Sequence, residues 1–209
     1  MAAWLASLGV SPNMVSILSM VFALLGAAML VGAAIGPSTL VFRLLCIGAA
    51  ASTQLRLIAN LLDGVIAQLS EQASLTGRLL NEWPDRVSDF LFLVGFGWFA
   101  GQETGLLLGL LAACMAVTTA YVRELGRCVG APPTFHGPMA KPQRMAVLTV
   151  ALLIFAAWPS LHARPLAVGS YSWTVPQAIL VLIIIGCLVT AVRRLVVIHR
   201  FAASQGGNQ

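Results

Sequence analysis

Six apolar stretches, each near the length of a bilayer-spanning helix, leave this chain few ways to fold. They cover residues 14–34, 40–62, 80–101, 104–122, 143–160 and 175–196. Crossing the hydrocarbon core takes about 20 predominantly apolar residues per helix, and in lipid every backbone polar group must be satisfied internally. With 9% charged residues, against about 25% in a soluble domain, the expectation is all-α: a polytopic membrane protein, a bundle of six transmembrane helices forming a single domain over residues 1–209.

Charge bias orients the bundle. If the N-terminus is cytoplasmic, that side collects Arg78, Arg123, Arg127, Lys141, Arg144, Arg193, Arg194 and Arg200, and the opposite side has Arg43 and Arg164. The excess of cationic residues predicts both termini inside, in what would be a bacterial inner membrane. The first residues, MAAWLASLGVSPN, show neither a basic n-region nor a small-residue cleavage site, so a removable signal peptide is not expected. The net charge of +5 comes without a basic helix or an aromatic platform, which argues against nucleic acid and for anionic headgroups.

Punctuation along the chain is clear. Ser11 and Pro12 precede the first apolar run, a helix-start signal. Gly36-Pro37-Ser38 and Gly101-Gln102-Glu103 separate neighbouring runs, and the connector from Arg123 to Arg144 is rich in Pro and Gly. The stretch from His162 to Trp173 reads as a short polar loop, and the terminal SQGGNQ as a frayed end. Gly97-xxx-Gly101 and Gly105-xxx-Gly109 have the small-residue spacing of close helix contacts, serving either a homodimer or packing within the chain. Cys46, Cys114, Cys128 and Cys187 show no CxxC and no metal spacing and read as apolar fillers. Trp83 and Trp158 read as interfacial anchors or packing residues.

Five of the seven acidic residues lie between Asn60 and Phe90. Ionisable residues in membrane helices are costly and point to function. At about 100° per residue, Asn60, Asp63, Gly64 and Ala67 share one face of the second helix, and Asn81, Glu82, Asp85 and Asp89 share one face of the third. A short return segment, Ser70–Gly77, makes the two helices antiparallel, so the stripes face each other near the cytoplasmic end. Clustered carboxylates raise one another's pKa unless compensated, and oxygen donors without His or Cys suit Mg²⁺, Mn²⁺ or Ca²⁺. Two such ions would clamp a phosphate or pyrophosphate, and Gly64, Ala67 and Gly77 would let it approach the backbone. Pairing of the acids with Arg56, Arg78 or Arg86 is the purely structural reading of the same residues.

The stretch resembles the signature of the CDP-alcohol phosphotransferases, D-x-x-D-G-x-x-A-R, eight residues, then G-x-x-x-D-x-x-x-D. Asp63, Gly64, Ala67, Gly77 and Asp85 match it at the right spacing, whereas Asn60, Gln68 and Asn81 depart. Ser11-Pro12-Asn13 and Tyr121-x-Arg123 resemble further family features, so the likeness spans nearly the whole chain. It implies six spans, two divalent ions (Mg²⁺ or Mn²⁺) on Asn60, Asp63, Asn81 and Asp85, and a nucleotide cradle of Gly64, Ala67, Gln68, Gly77 and Asn13. Glu82 and Asp89 stand as replacement metal ligands, as in a bacterial subgroup with Asn at two motif Asp positions. Asp85 or Asp89 is then the catalytic base. The lost motif arginine at Gln68 leaves its work to Arg56, Arg78 or Arg86.

The implied reaction is phosphatidyl transfer from CDP-diacylglycerol, or another CDP-alcohol, to a small hydroxyl acceptor with release of CMP. Arg123, Lys141 and Arg144 lie on the same side and suit a phosphate on the acceptor, with glycerol 3-phosphate the first choice. His136, a lone loop histidine, reads as a surface residue. The rival is a non-catalytic membrane protein, either a nucleotide- or lipid-binding pseudoenzyme or an ion pathway lined by the same acids.

Overall fold

The computed structural model describes residues 11–36, 38–69, 75–101, 103–132, 137–168 and 171–206, and within these no side chain from Ala67 to Asn81. Of the residues expected at the site, Ala67, Gln68, Gly77, Arg78 and Asn81 fall in that stretch, and His136 lies outside the described residues.

Six helices follow the six apolar runs: α1 (Pro12–Ala34), α2 (Thr39–Leu69), α3 (Leu75–Phe99), α4 (Thr104–Cys128), α5 (Lys141–Ala157) and α6 (Val175–Gly206). Ser11 caps α1, its hydroxyl accepting from the Met14 N–H at 3.3 Å, and Pro12 opens the first turn. Gly36, Gly101 and Gly130 lie at positive φ just beyond the ends of α1, α3 and α4, a conformation that costs a residue with Cβ. Several helices outrun their apolar segments: α2 reaches Leu69, α3 starts at Leu75 and α6 continues to Gly206, through the first half of the expected frayed end.

Among the described residues, four helices are long and apolar enough to cross a membrane: α1, α2, α4 and α6. Helix α3 carries Arg78, Glu82, Asp85, Arg86 and Asp89 in its first fifteen residues, and α5 has only 17 residues, at the lower limit for a span.

One departure from the all-helical expectation is a β-hairpin, β1 (Pro165–Val168) paired antiparallel with β2 (Tyr171–Thr174), Leu166 opposite Trp173. Alternating apolar residues on either side of Gly169-Ser170 favour this pairing over the loop expected there. The hairpin lies at the end of the bundle opposite the acids, beside His162. That imidazole sits among Phe42, Phe99 and Phe155, with Nε2 2.8 Å from the Phe99 carbonyl, and burial pushes its pKa down.

Helix α1 packs against both α2 and α3, α3 against α4, α4 against α6, and α2 against α5. Direct contact between α2 and α3 is slight, so the two polar stripes meet through long side chains rather than by helix-on-helix packing. The core holds Leu30, Phe92, Phe96, Phe99, Leu148, Leu152, Phe155 and Ile183. Where α3 crosses α4, a Cβ on Gly97 would lie 2.7 Å from Gly109 Cα, and one on Gly109 would lie 2.6 Å from Gly97 Cα. The small-residue spacing thus serves contact between helices of one chain, and it no longer points to a homodimer. Gly97→Ala is expected to destabilise the bundle by about 1–3 kcal/mol, the usual cost of overpacking. Thermal unfolding in detergent measures this, and an unchanged midpoint would show that the crossing can relax.

Candidate active site

A cavity of about 270 Å³ opens among the ends of α2, α3, α4, α5 and α6. Asn60, Asp85 and Asp89 form one wall, and Arg123, Lys141, Arg144 and Arg194 the other. Helical spacing accounts for the first wall, because Glu82, Asp85, Arg86 and Asp89 recur every three or four residues along α3. The second wall depends on the connector before α5. Gly137, at φ +134°, abuts Thr190 of α6, and the Thr190 hydroxyl accepts from the Met139 N–H at 3.0 Å. This pins the start of α5 and fixes where Lys141 and Arg144 emerge.

Asp89 is the centre of the charge arrangement. One carboxylate oxygen accepts from Arg56 Nη2 and the other from Arg144 Nη2 at 2.8 Å. Both arginines are buried, Arg56 at 0% and Arg144 at 2% exposure. Arg56 Nη1 also points to Met145 Sδ at 3.1 Å, and Arg144 Nη1 donates to the Met139 carbonyl at 3.0 Å and to Thr119 Oγ1 at 3.3 Å. Arg56 Nη2 stands 4.0 Å from Asp85 Oδ1, which accepts from Lys141 Nζ at 2.5 Å.

Glu82 belongs to a more open network. It accepts from Arg123 Nη2 at 2.9 and 3.1 Å and from Arg86, with Arg127 at 3.7 Å. Both residues expected to replace missing metal ligands, Glu82 and Asp89, therefore hold arginines in this structure. The physical reason is local excess of positive charge: guanidinium groups buried in a bundle need carboxylate partners.

The α2 side differs. Asp63 is buried at 1% exposure and takes a 2.7 Å hydrogen bond from Ser16 of α1 on Oδ2. Its Oδ1, and Oδ1 of Asn60 three residues earlier, are buried acceptors without a hydrogen-bond partner among the described residues. Unsatisfied buried acceptors are uncommon, and a bound ion or water is a usual reason for one. Among the described residues no three Asp, Glu, His or Cys side chains form a ready metal cage. Mg²⁺, however, is commonly held by one or two carboxylates with water and substrate phosphates completing the shell. Asn60 and Asp63 fit that kind of site, with Asp85 across the cavity.

Gly64 follows Asp63, and a Cβ added there would meet no atom of the described residues within 4 Å. Unlike Gly97, its lack of a side chain serves no packing contact among them. Asn13 is exposed near the start of α1, one turn before Ser16. Three contributors went unrecognised in the sequence: Ser16, Thr119 and Arg194. Ser16 and Ser19 are both buried on the otherwise apolar α1, and polar residues within a span carry a signal of their own. Arg194, whose Nη1 donates to the Thr119 carbonyl at 2.8 Å, is hidden in the sequence among the cations of positive-inside topology.

No family model matches the chain. A phosphatidylinositol phosphate synthase of Streptomyces avermitilis is 28% identical over 149 residues, 69% of this chain and 58% of the relative. An archaetidylinositol phosphate synthase of Methanothermobacter thermautotrophicus is 35% identical over 71 residues, 34% of this chain and 35% of the relative. The aligned part is thus less than two thirds of either relative's length. In solved structures, the Mycobacterium tuberculosis phosphatidylinositol phosphate synthase superposes with a TM-score of 0.71 at 17% identity, both with manganese and citrate and with CDP-DAG bound. The match covers 94% of this chain and 86% or 90% of the two solved chains. The fold is that of this synthase.

The buried and the open ion pairs should respond differently to truncation. Arg144→Met strands one oxygen of Asp89 and is expected to cost about 3–5 kcal/mol, whereas Arg127→Ala, in the exposed network, is expected to cost less than about 1 kcal/mol. Denaturation of both variants in detergent tests the contrast, and equal costs would contradict it.

Proposed function

We propose that the chain is a metal-dependent CDP-alcohol phosphotransferase. It moves a phosphatidyl group from CDP-diacylglycerol, or a related CDP-alcohol, to the hydroxyl of a phosphate-bearing acceptor and releases CMP. The observation that carries this reading is one cavity lined by Asn60 of α2, whose Oδ1 has no partner among the described residues, and by the cationic side chains Arg123, Lys141, Arg144 and Arg194, with the buried carboxylate of Asp63 one turn further along α2. The names of the sequence relatives and the shared fold support it.

In this reading Asn60 and Asp63 hold a divalent cation, Mg²⁺ or Mn²⁺, with Asp85 and Asn81 adjoining. The bound cation would neutralise the diphosphate and stabilise CMP as a leaving group. Gly64, Ala67, Gln68 and Gly77, with Asn13 from the start of α1, form the nucleotide cradle. Arg56, rigidly held by Asp89, supplies the fixed positive charge that Gln68 lacks. Lys141, Arg144 and Arg123 bind the acceptor's phosphate, and transfer of Lys141 from Asp85 to that phosphate frees Asp85 to take the hydroxyl proton. Asp89 is the weaker base candidate because both of its oxygens are already bonded.

The acceptor is a phosphorylated polyol. Glycerol 3-phosphate is the choice from the sequence, and the relatives' names favour inositol phosphate. All six helices span or enter the bilayer in this reading. Both termini and the cavity face the cytoplasm, as the distribution of cations indicates, and exposed Trp83 and Trp158 lie at the interfaces.

The test is CMP release by purified protein in detergent with CDP-diacylglycerol, Mg²⁺ or Mn²⁺, and a panel of glycerol 3-phosphate, inositol phosphate and serine. Metal-dependent release with a phosphorylated acceptor is expected, lowered about 10²–10⁴-fold by Asp85→Asn. Absence of release with every acceptor, alongside metal-dependent CDP binding, would favour a pseudoenzyme. Gly64→Ala separates ligand space from packing. It should leave stability unchanged or raised by up to about 1 kcal/mol while reducing turnover by about ten- to a hundredfold. A loss of stability instead would make Gly64 a packing residue.

A further inference from the structure

We propose that the site takes one divalent cation, on the α2 side, and that the buried guanidinium of Arg56 stands where a second ion would otherwise act. The inference rests on the metal-dependent reading above and departs from the two-ion arrangement that the sequence motif implies.

The two sides of the site are charge-compensated differently. On α2, Asp63 Oδ1 and Asn60 Oδ1 are buried acceptors with no partner among the described residues, and Asp63 is 1% exposed. On α3, Asp89 already receives Arg56 and Arg144 on its two oxygens, and Asp85 Oδ1 receives Lys141. Lys141 is partly exposed and can leave with a phosphate, but Arg56 is 0% exposed and braced by both Asp89 and Met145. Paired catalytic ions stand about 3.5–4 Å apart. A second ion bridging Asp85 and Asp89 would have to share its space with Arg56 Nη2, which lies 4.0 Å from Asp85 Oδ1 and is bonded to Asp89. Like charges at that range in a poorly solvated site repel strongly.

Replacement of two motif carboxylates by Asn60 and Asn81 removes two negative charges from the same site, which also fits fewer ions.

The experiment counts Mn²⁺ bound to the purified protein by electron paramagnetic resonance, without substrate or turnover. One ion per chain is expected. Asp63→Asn should weaken it at least about tenfold, and Asp89→Asn should leave the count at one. Two ions in the unmodified protein, or loss of an ion in Asp89→Asn, would overturn the inference. Should Asp89→Asn not fold, Lys141→Met decides: a single ion agrees with Arg56 as the excluding charge, and a second ion contradicts it. No bound ion at all would sink both this inference and the metal-dependent reading. One bound ion without CMP release would remove only the catalytic reading.

Discussion

The two-sided pairing of Asp89 with Arg56 and Arg144 ties together helices that otherwise have little reason to stay in register. Helices α2 and α3 touch only slightly, and α5 packs mainly against α2, yet Arg56 of α2, Asp89 of α3 and Arg144 of α5 converge on one buried carboxylate. Burying three charges is expensive, and such a triad does not by itself stabilise a fold more than apolar packing would. What it supplies is position. A cavity between helices that merely packed would close, and the clamp holds α2, α3 and α5 at the spacing of two arginine side chains.

The rest of the bundle is arranged so that this clamp can be rigid. Small residues bring α3 against α4 at Gly97 and Gly109, and against α1 at Gly95, where a Cβ would lie 2.9 Å from Ala27 Cα. In lipid the hydrophobic effect contributes little between helices, so close backbone approach and dispersion carry the association. The interior around Phe92, Phe96 and Phe99 forms a solid half, while polar side chains occupy the other end of the same helices. Gln54 and Thr149, hydrogen-bonded at 2.7 Å between α2 and α5, add a further tie on the way to Arg56.

Much of this was legible because lipid limits the options: apolar runs of the right length have to be helices, and acids sharing a helical face have to meet something polar. The residues of α2 and α3 that line the cavity could be named from periodicity. What periodicity could not show was which acids were already neutralised, since that depends on where Arg56, Lys141 and Arg144 project from helices far apart in sequence. Asp63 and Asp89 look alike as letters, but one has an unsatisfied oxygen and the other has none. Ser16 was lost in an apolar run for the same reason, its bond to Asp63 spanning 47 positions. The hairpin at Pro165–Thr174 was different: read as a short polar loop, it holds two strands of only four residues each, too short to stand out from a loop.

The asymmetry between α2 and α3 bears on how such a site can tolerate losing motif carboxylates. A carboxylate that binds metal can be exchanged for an amide only if the charge it supplied becomes unnecessary. An internal guanidinium does that by standing in the field of the remaining acids without needing ligands of its own beyond one carboxylate. Arg56 is suited to this because it cannot lose its proton and, at 0% exposure, cannot swing away into water. Lys141 has the opposite properties, a single-point cation on a flexible stem lining the cavity and partly exposed, held among the described residues by Asp85. One cation thus belongs to the framework and the other is free to follow a substrate, a division of labour that the two identical positive charges would not suggest from the sequence alone.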